Sequence, residues 1–105
     1  MSYNGWSNYE TWNVALWMDN EPGTYEMARE WATEAIENAE ACEYLTKQEV
    51  ATRDVASSLE DFIRENNPLA DDASVYSDIL SANLSEVNWH AIAEGWVQET
   101  VEVTP

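Results

Sequence analysis

Apolar residues in the N-terminal part of the chain recur at the spacing of one helical face. The set is Trp12, Ala15 and Leu16, with Val14 and Trp17 widening the apolar surface. Ser7 and Glu10 have the spacing of a capping box, in which each side chain accepts a hydrogen bond from the other residue's backbone N–H. Pro22 and Gly23 then interrupt the pattern, because neither residue readily continues a periodic segment. A first helix is therefore predicted over about residues 8–19.

Two longer helices are predicted in the centre of the chain. Thr24 is a candidate N-cap for a helix that extends to about Tyr44 and has one apolar face: Ala28, Trp31, Ala32, Ala35, Ile36, Ala39 and Cys42. Thr46 and Glu49 form a second capping box. It begins a third helix, which Asn66-Asn67-Pro68 ends. The buried positions expected in this third helix are Val50 or Ala51, Val55, Leu59, Phe62 and Ile63.

The C-terminal part of the chain predicts two further helices. A weaker pattern indicates a fourth helix over residues 72–82, with four residues facing inward: Val75, Tyr76, Ile79 and Leu80. A last helix starts after Ser85 or Asn88, and its apolar stripe is Trp89, Ile92, Ala93, Trp96 and Val97. Gly95 lies inside it at a cost of ~1 kcal/mol relative to Ala, and close packing against another element is one explanation. Residues 99–105 are expected to form an irregular tail, as a frayed end rather than an edge strand.

These segments together predict an all-α fold. The chain has 105 residues, which suits one domain by the usual figure of roughly 100–200 residues per domain. It contains no internal repeat and no low-complexity stretch. The predicted architecture is a single acidic domain over residues 1–105, folded as a compact bundle of four to five helices with a short irregular C-terminal tail.

The charge balance excludes several classes of protein. Twenty-one acidic residues against four Lys and Arg give a formal net charge of −17. Four scattered cations form no patch for phosphates, so direct nucleic-acid binding is excluded, and the aromatic content of 11% argues against a disordered acidic tail. No apolar run suits a membrane span or signal peptide. The single Cys42 excludes a disulfide framework and favours a cytoplasmic location.

Two sequence strings resemble a known family. Residues 8–14 read N-Y-E-T-W-N-V, and residues 88–94 read N-W-H-A-I-A-E. Both strings are similar to those of a family of small acidic proteins encoded by phages, plasmids and some prokaryotic genomes. The stretch between them, about residues 23–84, matches only in being helical and acidic. That family has no established activity, so the resemblance implies a mobile-element context and no catalytic residues. With the cytoplasmic location that Cys42 favours, the expected location is the host-cell cytoplasm.

The most unusual feature is a row of acids along the predicted second helix. Its members are Glu26, Glu30, Glu34, Glu37 and Glu40, and helical geometry places them within about 120° of arc, opposite the apolar face. Such a row has two interpretations: a solubilising face, or carboxylates that imitate the phosphates of DNA. Glu60 and Asp61 on the third helix are candidates for a second acidic ridge.

The aromatic residues also have two interpretations. Trp12, Trp31, Trp89 and Trp96 lie on apolar helical faces and are expected in the core. Tyr3 and Trp6 lie outside any apolar stripe. These two residues either attach the N-terminal arm to the bundle or form exposed contacts with a partner.

No constellation of residues points to catalysis or to a bound cofactor. His90 is the only histidine, so a transition-metal site lacks ligands, and Cys42 is expected to be a buried small hydrophobic residue. The chain has no nucleophile motif and no Gly-rich phosphate loop. We therefore expect a protein without catalytic residues, metal or cofactor.

The charge pattern leads to one favoured function and one alternative. The favoured function is inhibition of a basic host protein, either a nucleic-acid-binding or a defence enzyme, by electrostatic DNA mimicry. The alternative is a small interaction or assembly module that uses the aromatic N-terminal region, with charge serving solubility only. The sequence predicts no particular oligomeric state.

Overall fold

Five α-helices make up the fold in the computed structural model, which describes residues 5–43 and 45–103. They are α1 (Tyr9–Asn20), α2 (Pro22–Asn38), α3 (Lys47–Glu65), α4 (Val75–Ser85) and α5 (Trp89–Val103). Helices α2, α3 and α5 pack against one another, and α1 packs mainly against α2. The predicted all-α bundle is therefore confirmed.

The core consists of two apolar clusters. The first lies between α2, α3 and α5, and its buried members are Ala32, Ala35, Ala39, Ala51, Val55, Ala93 and Val97. Five of these residues are alanines, whose small side chains allow close approach of the helices. The second cluster includes α1 and contains Ala15, Met18, Leu59, Val87 and Ile92. The apolar stripes predicted for the third and last helices are thus buried at their central positions.

Polar side chains cap the N-termini of four helices, and at α4 these are Ser74 and Ser77, which form a capping box. The Thr46–Glu49 capping box at α3 is confirmed, with N–O distances of 3.1 and 3.2 Å. At α5, Oδ1 of Asn88 accepts a hydrogen bond from the N–H of Ala91. The prediction for α1 is wrong by one residue, because Oδ1 of Asn8, not Ser7, accepts from the N–H of Thr11 at 2.8 Å. Asn and Ser are equally good N-caps, so local preference does not distinguish these neighbours.

Helix α2 is displaced from its predicted range at both ends. It begins at Pro22, because proline at the first helical position has a suitable φ and needs no N–H partner. A single residue, Glu21, therefore separates α1 from α2. At the other end Ala39 is extended, with φ −72° and ψ 140°, and Tyr44 lies outside the described residues. Cys42 is consequently exposed, which corrects its predicted burial.

The orientation predicted for the fourth helix is wrong. Val75, Tyr76 and Ile79 are 63%, 70% and 60% exposed. Leu80 is only partly buried, and Leu84, at the end of α4, is 6% exposed. Periodicity identified an apolar face, but α4 contacts the other helices too slightly for one of them to cover that face.

Residues 99–103 of the predicted irregular tail are instead the end of α5, which continues to Val103, and residues 104–105 lie outside the described residues. Once α5 has formed, each added residue gains a helical hydrogen bond without a new nucleation cost. Thr100 Oγ1 also donates to the Trp96 carbonyl at 2.9 Å. Gly95 is exposed in the middle of this helix, and a Cβ built there would meet nothing within 4 Å. Close packing therefore does not explain Gly95.

Candidate partner-binding surface

Four of the five predicted acids form a continuous row on α2. Glu26, Glu30, Glu34 and Glu37, which we name the α2 ladder, are all exposed. Helical geometry places them within about 80° of arc, opposite the buried alanines of α2. In the part of the chain that the structure describes, no ladder carboxylate belongs to an ion pair. The ladder is therefore an uncompensated row of negative charge.

The single cation on α2 is engaged elsewhere. The guanidinium of Arg29 lies over the ring of Tyr25, 5.5 Å from its centroid, and Nη1 donates to the Tyr25 hydroxyl at 2.7 Å. Like charges at i, i+4 spacing destabilise a helix by a few tenths of a kcal/mol each. The burial of Ala28, Ala32 and Ala35 must offset this repulsion for α2 to remain folded.

Glu40 does not belong to the ladder. The helix ends at Asn38 and the chain is extended at Ala39, so the spacing that placed Glu40 on the same face no longer applies. Glu40 is exposed in the connection to α3. The predicted five-member row is thus corrected to four members on the helix and one acid beyond it.

The second acidic row also differs from the predicted pair. Glu60 Oε2 accepts a hydrogen bond from Arg64 Nε at 2.8 Å, so its charge is partly compensated. Asp61 is exposed, and Asp54, Asp61 and Glu65 lie within about 40° of arc on α3, because their separations are close to whole numbers of helical turns. We name Asp54, Asp61 and Glu65 the α3 row. Their spacings of seven and four residues can be read from the sequence. The sequence does not show which face of α3 packs beside the ladder.

The α2 ladder and the α3 row meet at a groove between α2 and α3, which Glu34 and Asp54 both line. Trp31 contacts Phe62, with ring centroids 5.8 Å apart, whereas Glu34 shares a groove with Asp54. Residues later in α2 therefore lie beside residues earlier in α3, so the two helices are antiparallel. From its first to its last member, each row rises by 11 residues, or roughly 17 Å along the helix axis. The seven carboxylates of the two rows together therefore give one charge per roughly 2.4 Å of axis. Duplex DNA presents one per ~1.7 Å of axis.

The groove between α2 and α3 is lined by one member of each acidic row. Its volume is about 200 Å³, and the lining residues are Trp31, Glu34, Ala35, Asn38, Asp54, Val55 and Ser58. Glu34 and Asn38 come from α2, and Asp54 and Ser58 come from α3. The groove thus has a carboxylate from each helix and an apolar floor.

The aromatic candidates of the N-terminal arm are only partly described. Trp6 is partly buried and packs against the second core cluster, an arrangement that favours the interpretation in which it attaches the arm to the bundle. Tyr3 lies outside the described residues.

The four tryptophans expected in the core are all partly buried, and none is fully buried. Trp31, Trp89 and Trp96 pack against the core clusters, and Trp96 Nε1 donates to Asp19 Oδ1 at 3.2 Å. The ring centroids of Trp12 and Tyr9 are 5.5 Å apart. The indoles therefore form the margin of the core, and smaller residues fill its centre.

The two strings that carry the family resemblance meet in space. Asn8 Nδ2 donates to the carbonyl oxygen of Glu86 at 2.7 Å. Thr11 is fully buried, and its Oγ1 accepts from the N–H of Asn88 at 2.9 Å. The polar residues of both strings thus join the start of α1 to the connection between α4 and α5. This structural role was not predicted.

Groups that could bind a metal are not found in the described part of the chain. His90 Nε2 lies 3.6 Å from Glu94 Oε2, and both side chains are exposed. None of the helices is long and apolar enough to cross a membrane, as judged on residues 5–43 and 45–103.

The chain belongs to a family of unknown function, DUF7249, whose model matches residues 1–97. No curated protein and no solved structure matches it significantly. The match includes both acidic rows, the groove between them and the junction between the two strings.

Proposed function

We propose that this DUF7249 protein binds the cationic surface of a nucleic-acid-binding or defence enzyme and inhibits it by DNA mimicry. The observation that carries the proposal is the pair of adjacent rows, the α2 ladder and the α3 row, with seven exposed carboxylates. Their charge density approaches that of a duplex. Carboxylates in these rows would occupy the Lys and Arg sites that otherwise bind phosphates.

Electrostatics supports a role in binding beyond solubility. A surface with one sign of charge raises the association rate with an oppositely charged partner, and the effect declines with salt. Solubility alone requires no alignment of charges, whereas here each helix has its acids in one row and the two rows share a groove at Glu34 and Asp54. A cationic partner would also relieve the repulsion within the ladder.

The origin suggested by the two strings narrows the class of partner. Their resemblance to proteins of phages and plasmids favours a partner in the host cytoplasm that acts on invading DNA. We propose that the protein acts there as an inhibitor without catalytic residues, metal or cofactor, and without direct contact to nucleic acid.

Charge reversal tests this function. In the ladder variant, Glu30, Glu34 and Glu37 become Lys. In a matched control, Glu94, Glu99 and Glu102 on α5 become Lys, so both variants change net charge from −17 to −11. All six positions are exposed, so both variants should retain the far-UV circular dichroism of the wild type. Each protein is immobilised and used to capture proteins from bacterial lysate, and captured proteins are then challenged with duplex DNA.

The proposal predicts a specific combination of results. The wild type and the α5 control retain a basic protein that the ladder variant loses, and duplex DNA displaces that protein. Retention weakens between ~50 and ~200 mM salt, as binding to phosphates does. Equal retention by the two variants, or simultaneous binding of DNA and this protein to the partner, would contradict DNA mimicry.

A further inference from the structure

We propose that the groove between the α2 ladder and the α3 row is a binding slot for one arginine side chain. The inference rests on the proposed function, because the arginine would belong to the cationic partner. It adds a specific contact to a binding mode otherwise based on the density of charge. The geometry that supports it is the placement of Glu34 and Asp54 on opposite walls, with Trp31 also lining the groove.

The size of the groove suits a single side chain. At about 200 Å³, it is smaller than the ~300–1,000 Å³ of pockets that bind drug-sized ligands. It is also open to solvent between two antiparallel helices, so a side chain presented by a protein surface can enter it. A free metabolite of ordinary size would be poorly enclosed.

The polar groups of the groove are acceptors for a cation. Glu34 and Asp54 belong to no ion pair within residues 5–43 and 45–103. Asn38 Nδ2 donates to the Glu34 carbonyl oxygen at 2.9 Å, which leaves Asn38 Oδ1 as an acceptor. Ser58 supplies a hydroxyl from the opposite wall. Hydrogen-bond acceptors on both walls of the groove suit a cation whose N–H groups donate in several directions.

Guanidinium fits this arrangement better than ammonium does. It has five N–H donors in a plane, it is more weakly hydrated, and it stacks on aromatic rings. Both faces of the slot supply carboxylates, with which guanidinium forms paired hydrogen bonds, and Trp31 supplies the aromatic ring for a cation–π contact. Lysine would satisfy the charge but not the planar geometry, so we expect the slot to prefer arginine.

Two small probes of equal charge test this preference. The full-length protein, labelled with ¹⁵N, is titrated with N-acetyl-arginine amide and with N-acetyl-lysine amide, and assigned NMR signals are followed. Non-specific attraction to a chain of net charge −17 is the same for both probes. The arginine probe should shift the indole N–H of Trp31 and the side-chain amide of Asn38 saturably. The lysine probe should shift them less and with a weaker Kd.

Matched variants separate the slot from the general field. Glu34→Gln and Asp54→Asn remove a slot carboxylate, whereas Asp78→Asn on α4 and Glu99→Gln on α5 remove the same charge outside both acidic rows. All four positions are exposed, so the fold should be unaffected. Each slot variant should weaken binding of the arginine probe by about fivefold, the upper value for an exposed ion pair. Each control should change it by less than about twofold.

The outcomes distinguish this inference from the proposed function. Equal affinity for the two probes, equal effects of slot and control variants, or no shift at Trp31 would overturn the arginine slot. None of these results would alter the charge-reversal test, which depends on the whole ladder. Conversely, saturable arginine binding together with equal capture by the ladder variant and the α5 control would retain the slot and overturn DNA mimicry.

Discussion

Thr11 Oγ1 accepts a hydrogen bond of 2.9 Å from the backbone N–H of Asn88, 77 residues away in the sequence. Asn88 in turn caps α5 through its own side chain. Asn8 caps α1 with its Oδ1 and donates from Nδ2 to Glu86. Three polar residues therefore hold the first and last helices at one junction.

Removal of the Thr11 hydroxyl should weaken this junction. Thr11→Val keeps the shape of a fully buried side chain but leaves the Asn88 N–H without its acceptor. We expect the free energy of unfolding to fall by ~0.5–1.5 kcal/mol, the net contribution of one hydrogen bond, because this bond is only partly buried. Urea denaturation measures the loss, and amide hydrogen exchange at Asn88 should become faster. Thr11→Ser keeps the hydroxyl, so unchanged exchange in Thr11→Val, or equally fast exchange in both variants, would contradict this role.

Gly95→Ala should stabilise the protein. Gly95 is exposed inside α5, and an added Cβ meets no atom within 4 Å. Because Ala loses less backbone entropy in a helix, we expect a gain of ~0.5–1 kcal/mol in thermal or urea unfolding. Gly5→Ala is the contrasting variant, since φ at Gly5 is +93° and a side chain there is strained. A destabilised Gly95→Ala variant would contradict this expectation and show that Gly95 is closely packed.

The two faces of α4 should respond differently to substitution. Val75→Ser and Ile79→Ser alter residues that are 63% and 60% exposed, so each should change stability by less than ~0.5 kcal/mol. Leu84→Ala removes a buried side chain and should cost ~2–5 kcal/mol. Chemical denaturation of the three variants and the wild type measures these changes in the free energy of unfolding. A large loss for Val75→Ser or Ile79→Ser would mean that the outer face of α4 is covered in solution.

Added salt should raise the melting temperature of the wild type. Screening between low and physiological ionic strength weakens the repulsion among the carboxylates of the α2 ladder. The variant with Lys at positions 30, 34 and 37 should melt with a smaller dependence on salt, because its net charge is −11 instead of −17 and Glu26 gains an attractive neighbour at position 30. Calorimetry at several salt concentrations tests both statements. If the wild type and the variant respond equally, the ladder is not the source of the repulsion.

Local patterns determined a large part of this fold. The capping box at Thr46 and Glu49 and the stripes of α3 and α5 depend on residues three or four apart, and these features match the structure. The row from Glu26 to Glu37 follows from helical geometry alone, because every member lies on one unbroken helix. Contacts within one or two helical turns are encoded by neighbours in the chain, so sequence spacing is sufficient to predict them.

Tertiary structure decided the features that depend on distant parts of the chain. The end of α2 at Asn38 removed Glu40 from the ladder and exposed Cys42, although no Gly or Pro marks that end. The slight contact of α4 with the other helices left Val75 and Tyr76 exposed despite their apolar pattern. The antiparallel packing of α2 on α3 brought Asp54 to the same groove as Glu34. Periodicity shows that a face is apolar or acidic, whereas packing determines which other element that face meets.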